Sequence, residues 1–577
     1  MNNATIADAL DEIADLLEFQ AANPFRVRAY RNSALTIRNY AEQIATLAEQ
    51  GSARLTEIDG IGADLAQKIV TLVHTGELTQ LNELKAQVPQ GVLALLRIPG
   101  VGPKKAAALH KQLGVTSLDE LKAACEAGRV SRLKGFGAKT ERLILQGIGI
   151  AAQANERIYW AEADDWVREL RAHFQACEGI DQLEFAGSYR RGKETVGDLD
   201  ILVVSSQVSQ VMDRFGQFPE KAEIIARGDT KMSLRTKTGL QVDLRVVPAE
   251  SFGAALQYFT GSKEHNVILR RRAKDQGLKI NEYGVFRLEG ERETYVAGAS
   301  EKDVYATLGL PVFPPELREA RLEYQWADEG KLPRLIELDD LRGDLHMHTH
   351  ATDGSASILE MAEAARARGL AYIAITDHSR RVTMANGLTP ERALAQWREI
   401  DKINQSFGKE FRILKGIECD ILEAGGMDLP DDVLAEADWV IASVHYGQKQ
   451  PRQQITERVL GALENPHVSC IAHPTGRLIN RREPYEVDLE AVFAAAKRLG
   501  KLLELNSNPM RLDLNDVLCA AAKQHGVPIV INTDAHSPDG LAAARYGILQ
   551  ARRAGLTKED VANTRAWAGM KKLIGTG

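Results

Sequence analysis

Seven apolar runs in the C-terminal part of the chain constrain its fold most, because each ends in residues that can bind a metal. In order they are Asp344 to His348, Tyr372 to His378, Leu414 to Glu418, Trp439 to His445, Val468 to His473, Leu502 to Asn506 and Ile529 to His536. Helical patterns separate them. Parallel strands joined by crossover helices have this rhythm, and closing them into a barrel gathers their C-terminal ends into one site. His346 and His348 share a strand face, as do Asp534 and His536. A lone histidine at a strand end is ordinarily a hydrogen-bonded core residue. Histidines repeated in the same structural place are a ligand set. Histidine mixed with carboxylate suits Zn²⁺, Mn²⁺ or Fe²⁺ better than Mg²⁺.

A second stretch, Phe185–Asp200, reads FAGSYRRGKETVGDLD and runs into Ile201-Leu202-Val203-Val204. Asp198 and Asp200 stand two residues apart at the head of a buried strand, so both carboxylates point the same way. Side by side they repel, and a divalent cation between them relieves the repulsion. Gly187, Ser188, Arg190 and Arg191 upstream offer flexible backbone, a hydroxyl and guanidinium groups, which suit phosphate. A further apolar and acidic strand, Leu240 to Val247, carries Asp243. Alone, Asp243 would pass for an exposed sheet-edge residue; beside the other two it completes a site for two ions. Metal plus phosphate clamp predicts nucleotidyl transfer.

The chain opens on an amphipathic helix, with Ile6, Leu10, Ile13, Leu16 and Leu17 at helical spacing. Up to about residue 150 one pattern recurs: Ile58-Asp59-Gly60-Ile61-Gly62, Ile98-Pro99-Gly100-Val101-Gly102 and Leu133-Lys134-Gly135-Phe136-Gly137. Each places G-apolar-G before a helix. The glycines allow close backbone approach, and the helix start presents free N–H groups to an anion. This resembles the helix-hairpin-helix, which grips a DNA backbone without reading sequence. One copy could be any turn, but three with the same flanks are a repeat.

The 577 residues suffice for roughly three to five domains. No apolar run reaches the ~18 residues of a membrane helix, so no membrane role is expected. The N-terminus lacks a basic region followed by an apolar core, so no secretion signal is expected. Five scattered cysteines without a CxxC point to a reduced, cytoplasmic compartment. A net charge of −7 excludes a uniformly basic nucleic-acid coat but not local basic clusters.

GSYRRG…GDLD, VDLRVVP, YFTGSKEHN and KINEYGVF occur in the order and spacing of the family X DNA polymerases, small gap-filling repair enzymes. The resemblance runs from the N-terminus to the Pro314-Pro315-Glu316-Leu317-Arg318 segment. It implies that Asp198, Asp200 and Asp243 bind Mg²⁺ or Mn²⁺ and carry the catalysis. It implies that Ser188, Arg191 and Gly197 contact the triphosphate of an incoming dNTP, that Tyr258, Phe259 and Gly261 line its sugar, and that Asn266 touches its base edge. Arg270, with Gly60, Gly62, Gly100, Gly102, Gly135 and Gly137 of the hairpins, would contact DNA. Several family members carry an acid after FTGS, where this chain has Lys263. Lys68 matches the slot of a lysine that forms a Schiff base with 5′-deoxyribose phosphate, with Tyr30 and Arg31 matching other residues of its pocket. A second lysine often found nearer the hairpin is Asp64 here, and a solvated helix lysine is the plain alternative for Lys68.

The His-rich part resembles the polymerase-and-histidinol-phosphatase (PHP) superfamily, a distorted seven-stranded barrel with a three-metal phosphoesterase site. All nine positions of that family's ligand set are present: His346, His348, Asp353, His378, Glu418, His445, His473, Asp534 and His536. Up to three Mn²⁺, Zn²⁺ or Fe²⁺ ions would sit there. Arg381 and Arg477 follow ligand loops and are candidates for holding DNA phosphates.

The expected architecture is multidomain: an all-α helix-hairpin-helix region, an α+β nucleotidyltransferase palm and thumb, and a C-terminal α/β PHP barrel. Its expected bounds are 1–80 (lyase-like helical domain), 81–150 (fingers-like hairpin domain), 151–258 (palm), 259–318 (thumb), 319–340 (linker) and 341–570 (PHP domain). The expected enzyme is a monomer that fills gapped or primed DNA with dNTPs and processes 3′ ends as an exonuclease, abasic endonuclease or 3′-phosphatase. A small-molecule phosphatase fused to a DNA-binding scaffold is the alternative, and a non-catalytic end-tethering protein a third. The hairpins and GS…DxD argue against the former, complete ligand sets against the latter.

Overall fold

The computed structural model describes residues 3–574 except 21, 39–43, 59, 89–94, 96–100, 102, 134, 138, 139, 143, 146–156 and 291. The chain forms two compact units, Met1–Arg157 and Ile158–Gly577.

Helices joined by short turns make up the described residues of the first unit. Asn3–Phe19 and Pro24–Arg38 pack against one another, burying Ile6, Leu10, Ile13, Leu17, Val27 and Tyr30. The middle residues of the G-apolar-G turns (Ile61, Val101 and Phe136) are buried, whereas Gly60, Gly62, Gly135 and Gly137 are exposed. The first and third turns thus anchor through their apolar residue and carry exposed glycines on either side of it. Gly60 and Gly135 hold φ values of 92° and 88°, which favour glycine. Gly100 and Gly102 lie outside the described residues.

The second unit contains three larger sheets. Strands β1 (Ile180–Phe185), β2 (Asp198–Ser205), β3 (Lys221–Arg227), β4 (Lys231–Thr236) and β5 (Gln241–Val246) form the first, in the order β1-β2-β5-β4-β3. Only β2 and β5 run parallel. β2 is apolar on both faces because both are covered. Ile201 and Val203 meet Val167, Leu170 and Phe174 of the helix Trp160–Gln175, while Leu202 and Val204 meet Ala255 and Leu256 of the helix Phe252–Thr260. A meander of β6 (Leu278–Asn281), β7 (Gly284–Glu289) and β8 (Arg292–Ala297) follows the helix Lys263–Asp275.

Seven parallel strands make the third sheet in sequence order: β9 (Gly343–Asp344), β10 (Tyr372–Ile375), β11 (Arg412–Asp420), β12 (Trp439–Ser443), β13 (Cys470–Ile471), β14 (Leu502–Asn506) and β15 (Ile529–Asn532). A parallel bridge between Met347 and Ala535, just beyond the ends of the outer two, nearly closes the sheet into a barrel. Alternation divides its side chains between two cores. Ala374, Leu502 and Val530 fall in one with Met570, while Ile373, Leu503 and Ile531 pack in the other beneath the surrounding helices.

The 319–340 segment, expected as a linker, is packed. Glu319, Glu323 and Tyr324 are buried, Glu323–Asp328 is helical, and the Ile336 amide donates to the Leu556 carbonyl. Glu319 and Glu323 face buried partners, Arg553 and His265, which charge patterning along one segment does not reveal.

Candidate metal centres

In the first sheet β2 and β5 pair with Asp198 opposite Gln241 and Asp200 opposite Asp243. All three carboxylates therefore lie on one face, with Leu199 buried on the other. Burial, then the neighbouring Asp198 and Asp243 charges, push Asp200 up to about 7. Such crowding of acids at the open end of a sheet fits a divalent cation. Gly187 brings its backbone against this cluster. Its φ is 65°, and a Cβ there would come within 2.8 Å of an Asp200 carboxylate oxygen.

Ser188 is half-buried in the short helix Gly187–Arg190, and Gly197 is exposed beside Asp198. Arg191 turns inward: its Nε lies 3.0 Å from Glu319, and the same guanidinium donates to the Thr260 carbonyl. Tyr258 and Phe259 meet edge to face at 5.1 Å, and the Arg245 guanidinium stacks 4.4 Å from the Phe259 ring centroid. Asn266 accepts from Gln257 and donates to the Tyr258 carbonyl, so its amide is internally satisfied. Gly261 closes the helix that carries Tyr258 and Phe259; Lys263 and Arg270 are exposed on the next.

At the barrel mouth the nine residues converge. His348, Asp353, His378 and His536 form one group with ligand atoms within 4.8 Å of one another; His346, His348 and Asp534 form a second, and His378, Glu418 and His445 a third. Shared His348 and His378 make the three groups one centre. Glu418 is its hub, 2.8 Å from His378, 3.0 Å from His473, and 3.4 Å from both His346 and His445. His346 Nε2, His348 Nδ1 and Glu418 Oε2 are buried without a hydrogen-bond partner. Burying unsatisfied polar atoms is costly, and a set of them converging on one point fits metal ions. Burial opposes the Glu418 charge, but His378, His445 and His346 outweigh it and hold the carboxyl well below its usual range. His346 and Glu418 are sealed, whereas the Asp353 and His536 side chains are 35% and 38% exposed. The open side of the centre is therefore the Asp353–His536 side.

A second ring holds these ligands, and sequence reasoning did not assign it. Glu504 accepts from His346 Nδ1 at 2.7 Å, from Asn532 at 3.0 Å and from the His473 amide at 2.7 Å. Asp420 contacts His445 Nδ1 and accepts from its amide. Such carboxylates fix ring orientation and raise ligand basicity. The available signal was their position, since Glu504 and Asp420 stand on strands that end in the site. The two candidate DNA arginines are engaged. Arg477 is buried and 2.6 Å from Glu194, while Arg381 pairs with Glu423 and stacks on Tyr446.

In the first unit Lys68 donates to Tyr30 at 2.8 Å and to Asp64 at 2.5 Å. Burial lowers its pKa, but these two partners outweigh it, and the net shift is upward. Arg31 sits among Asp11, Asp15 and Glu18.

Residues 1–78 match the family described as a helix-hairpin-helix domain, and 92–149 a SAM-like helix-hairpin-helix tandem. Residues 157–246 match the DNA polymerase beta palm, 255–319 the DNA polymerase beta thumb, and 344–508 the PHP domain. The DNA polymerase/3′-5′ exonuclease PolX of Bacillus subtilis (strain 168) is 42% identical, over 98% of this chain and 98% of its own length. DNA polymerase lambda of Rattus norvegicus is 25% identical over 55% of this chain and 56% of its own. A probable phosphatase of Thermoanaerobacter sp. (strain X514) is 33% identical, over 38% of this chain and 89% of its own.

Proposed function

The chain belongs to the family X DNA polymerases that carry a PHP domain, and from that premise we propose that it fills short gaps in DNA at its palm centre and removes 3′ nucleotides at its barrel centre. The observation that carries the reading is two separate groups of candidate metal ligands in one chain: three carboxylates on adjacent strands, and eight residues gathered with Glu418 at the barrel mouth. Asp198, Asp200 and Asp243 would hold Mg²⁺ or Mn²⁺, and the nine barrel residues up to three Mn²⁺, Zn²⁺ or Fe²⁺ ions. Ions bound there supply positive charge to the phosphorus under attack and to the leaving oxygen.

The chain's own residues bind and orient. Ser188, Arg191 and Gly197 would take the triphosphate. Tyr258, Phe259 and Gly261 would take the sugar, and Asn266 the base edge. Arg270 would contact DNA, and the exposed glycines of the first unit, Gly60, Gly62, Gly135 and Gly137, would grip DNA backbone. At the barrel, the open Asp353–His536 side would admit a 3′ end, and the Glu504 and Asp420 carboxylates keep the His346 and His445 rings aimed. Abasic-site cleavage and 3′-phosphate removal need the same phosphoester chemistry and belong to the same centre.

A small-molecule phosphatase accounts for the barrel alone, and the phosphatase relative covers 38% of the chain. Comparing hydrolysis of a sugar phosphate with that of a primer 3′ end separates the readings. Faster turnover of the sugar phosphate would reverse the assignment. Schiff-base chemistry at Lys68 needs a neutral amine, and the Asp64 pairing weighs against it.

A further inference from the structure

The Gly187–Glu194 loop beside the palm carboxylates is held from behind by the barrel domain, through one helix, Ala544–Arg553. Gln550 donates to the Gly192 carbonyl at 3.0 Å, and Arg553 to the Arg191 carbonyl at 2.7 Å. Leu549 packs so closely on Gly192, whose φ is 65°, that a Cβ there would lie 3.2 Å from the leucine. The opposite side of the same helix is pressed onto the barrel: a Cβ on Gly547 would clash with Ser507 and Ile531. The loop's backbone is therefore set by a helix that cannot shift without moving the barrel strands.

The side chains continue the connection. Glu319 accepts from Arg191 at 3.0 Å and from Arg553 at 2.9 Å. Arg553 also reaches Asp516 at 2.8 Å, and Asp516 pairs with Arg321 at 3.0 Å. Burial opposes charge on both carboxyls, but Arg553, Arg191, Arg321 and Lys193 outweigh it for Glu319, and Arg321, Arg553 and Lys193 for Asp516. Within this cluster four cations stand against two carboxylates. Glu319 raises the Lys193 pKa, yet burial and the Arg553 and Arg191 charges outweigh it, so the net shift is downward. A buried cluster with surplus positive charge attracts an anion. The loop it supports is the one that reaches the carboxylate face.

We propose that Arg553 and Asp516 of the barrel domain are positioning residues for nucleotide addition: through Glu319 and the Arg191 and Gly192 carbonyls they set the loop that receives the triphosphate. This rests on the reading that the loop binds the triphosphate. The barrel domain is then a structural part of the polymerase site as well as a nuclease.

The test measures gap filling by the full-length enzyme as a function of dNTP, with barrel nuclease activity on a single-stranded primer assayed in the same preparations. Arg553→Met and Asp516→Asn are expected to raise KM for dNTP by roughly tenfold, with kcat within about twofold of wild type. Arg553→Lys recovers part of the loss, and nuclease activity stays within about twofold. An unchanged KM in Arg553→Met overturns the proposal. So does a joint fall of kcat, kcat/KM and nuclease activity, which marks a merely structural role. Ser188→Ala separates the two readings. A raised KM there with an unchanged KM in Arg553→Met removes the positioning role alone. An unchanged KM in Ser188→Ala removes the triphosphate loop, and the proposal with it.

Discussion

Asp200 shows how one residue's setting fixes its chemistry. It faces Asp243 across β2 and β5 and Asp198 along its own strand, and it titrates near 7 because burial and both neighbours disfavour its charge. A group with a raised pKa keeps its proton below that value, so protons compete with metal ions for the site. Metal affinity of the palm should therefore rise with pH. The Mg²⁺ concentration giving half-maximal nucleotide addition is expected to fall between pH 6 and pH 8 by about tenfold. A flat metal requirement over that range contradicts the assignment. Lys68 is the converse case. Asp64 and Tyr30 keep it charged, so wild-type protein should give little borohydride-trapped adduct on incised abasic DNA at neutral pH. Asp64→Ala removes one partner and should increase trapping several-fold; no Lys68-dependent adduct in either protein ends the lyase reading.

At the scale of elements, strands present ligands and a second ring aims them. The candidate barrel ligands could be picked out in the sequence because histidine and carboxylate recur at the C-terminal ends of successive strands, and the resemblance to the PHP superfamily extended them to a set of nine. Glu504 and Asp420 could not, because their roles depend on which ring stands across the barrel mouth. Removing Glu504 frees His346 to turn. Glu504→Gln is therefore expected to weaken Mn²⁺ binding about 10- to 100-fold, with nuclease activity restored at high Mn²⁺. Metal titration followed by nuclease rate checks this, and wild-type affinity in the variant contradicts it. Arg477 shows the same limit from the other side. Its sequence position beside a ligand loop suggested a phosphate contact, but its partner Glu194 lies 283 residues away in sequence, and pairing at that separation leaves no local pattern.

For the whole chain, domain order was legible because each part has its own rhythm: G-apolar-G turns, apolar and acidic strands, then strand–ligand–helix repeats. The joins were less so. Residues 319–340 are charged, as linkers are, yet Glu319 and Glu323 are buried among partners from distant segments. The helix Ala544–Arg553 resembles any surface helix of a barrel until its two sides are seen to be occupied. On the proposed reading one chain holds two active centres with separate ligand sets, working on a 3′ end in opposite directions. A single primed-gap assay tests it most directly, comparing wild type, Asp198→Ala/Asp200→Ala and His346→Ala/His348→Ala with Mg²⁺ or Mn²⁺, with and without dNTPs. The first variant is expected to shorten primers but not extend them, and the second to extend but not shorten them. Loss of both activities in either double variant would contradict it.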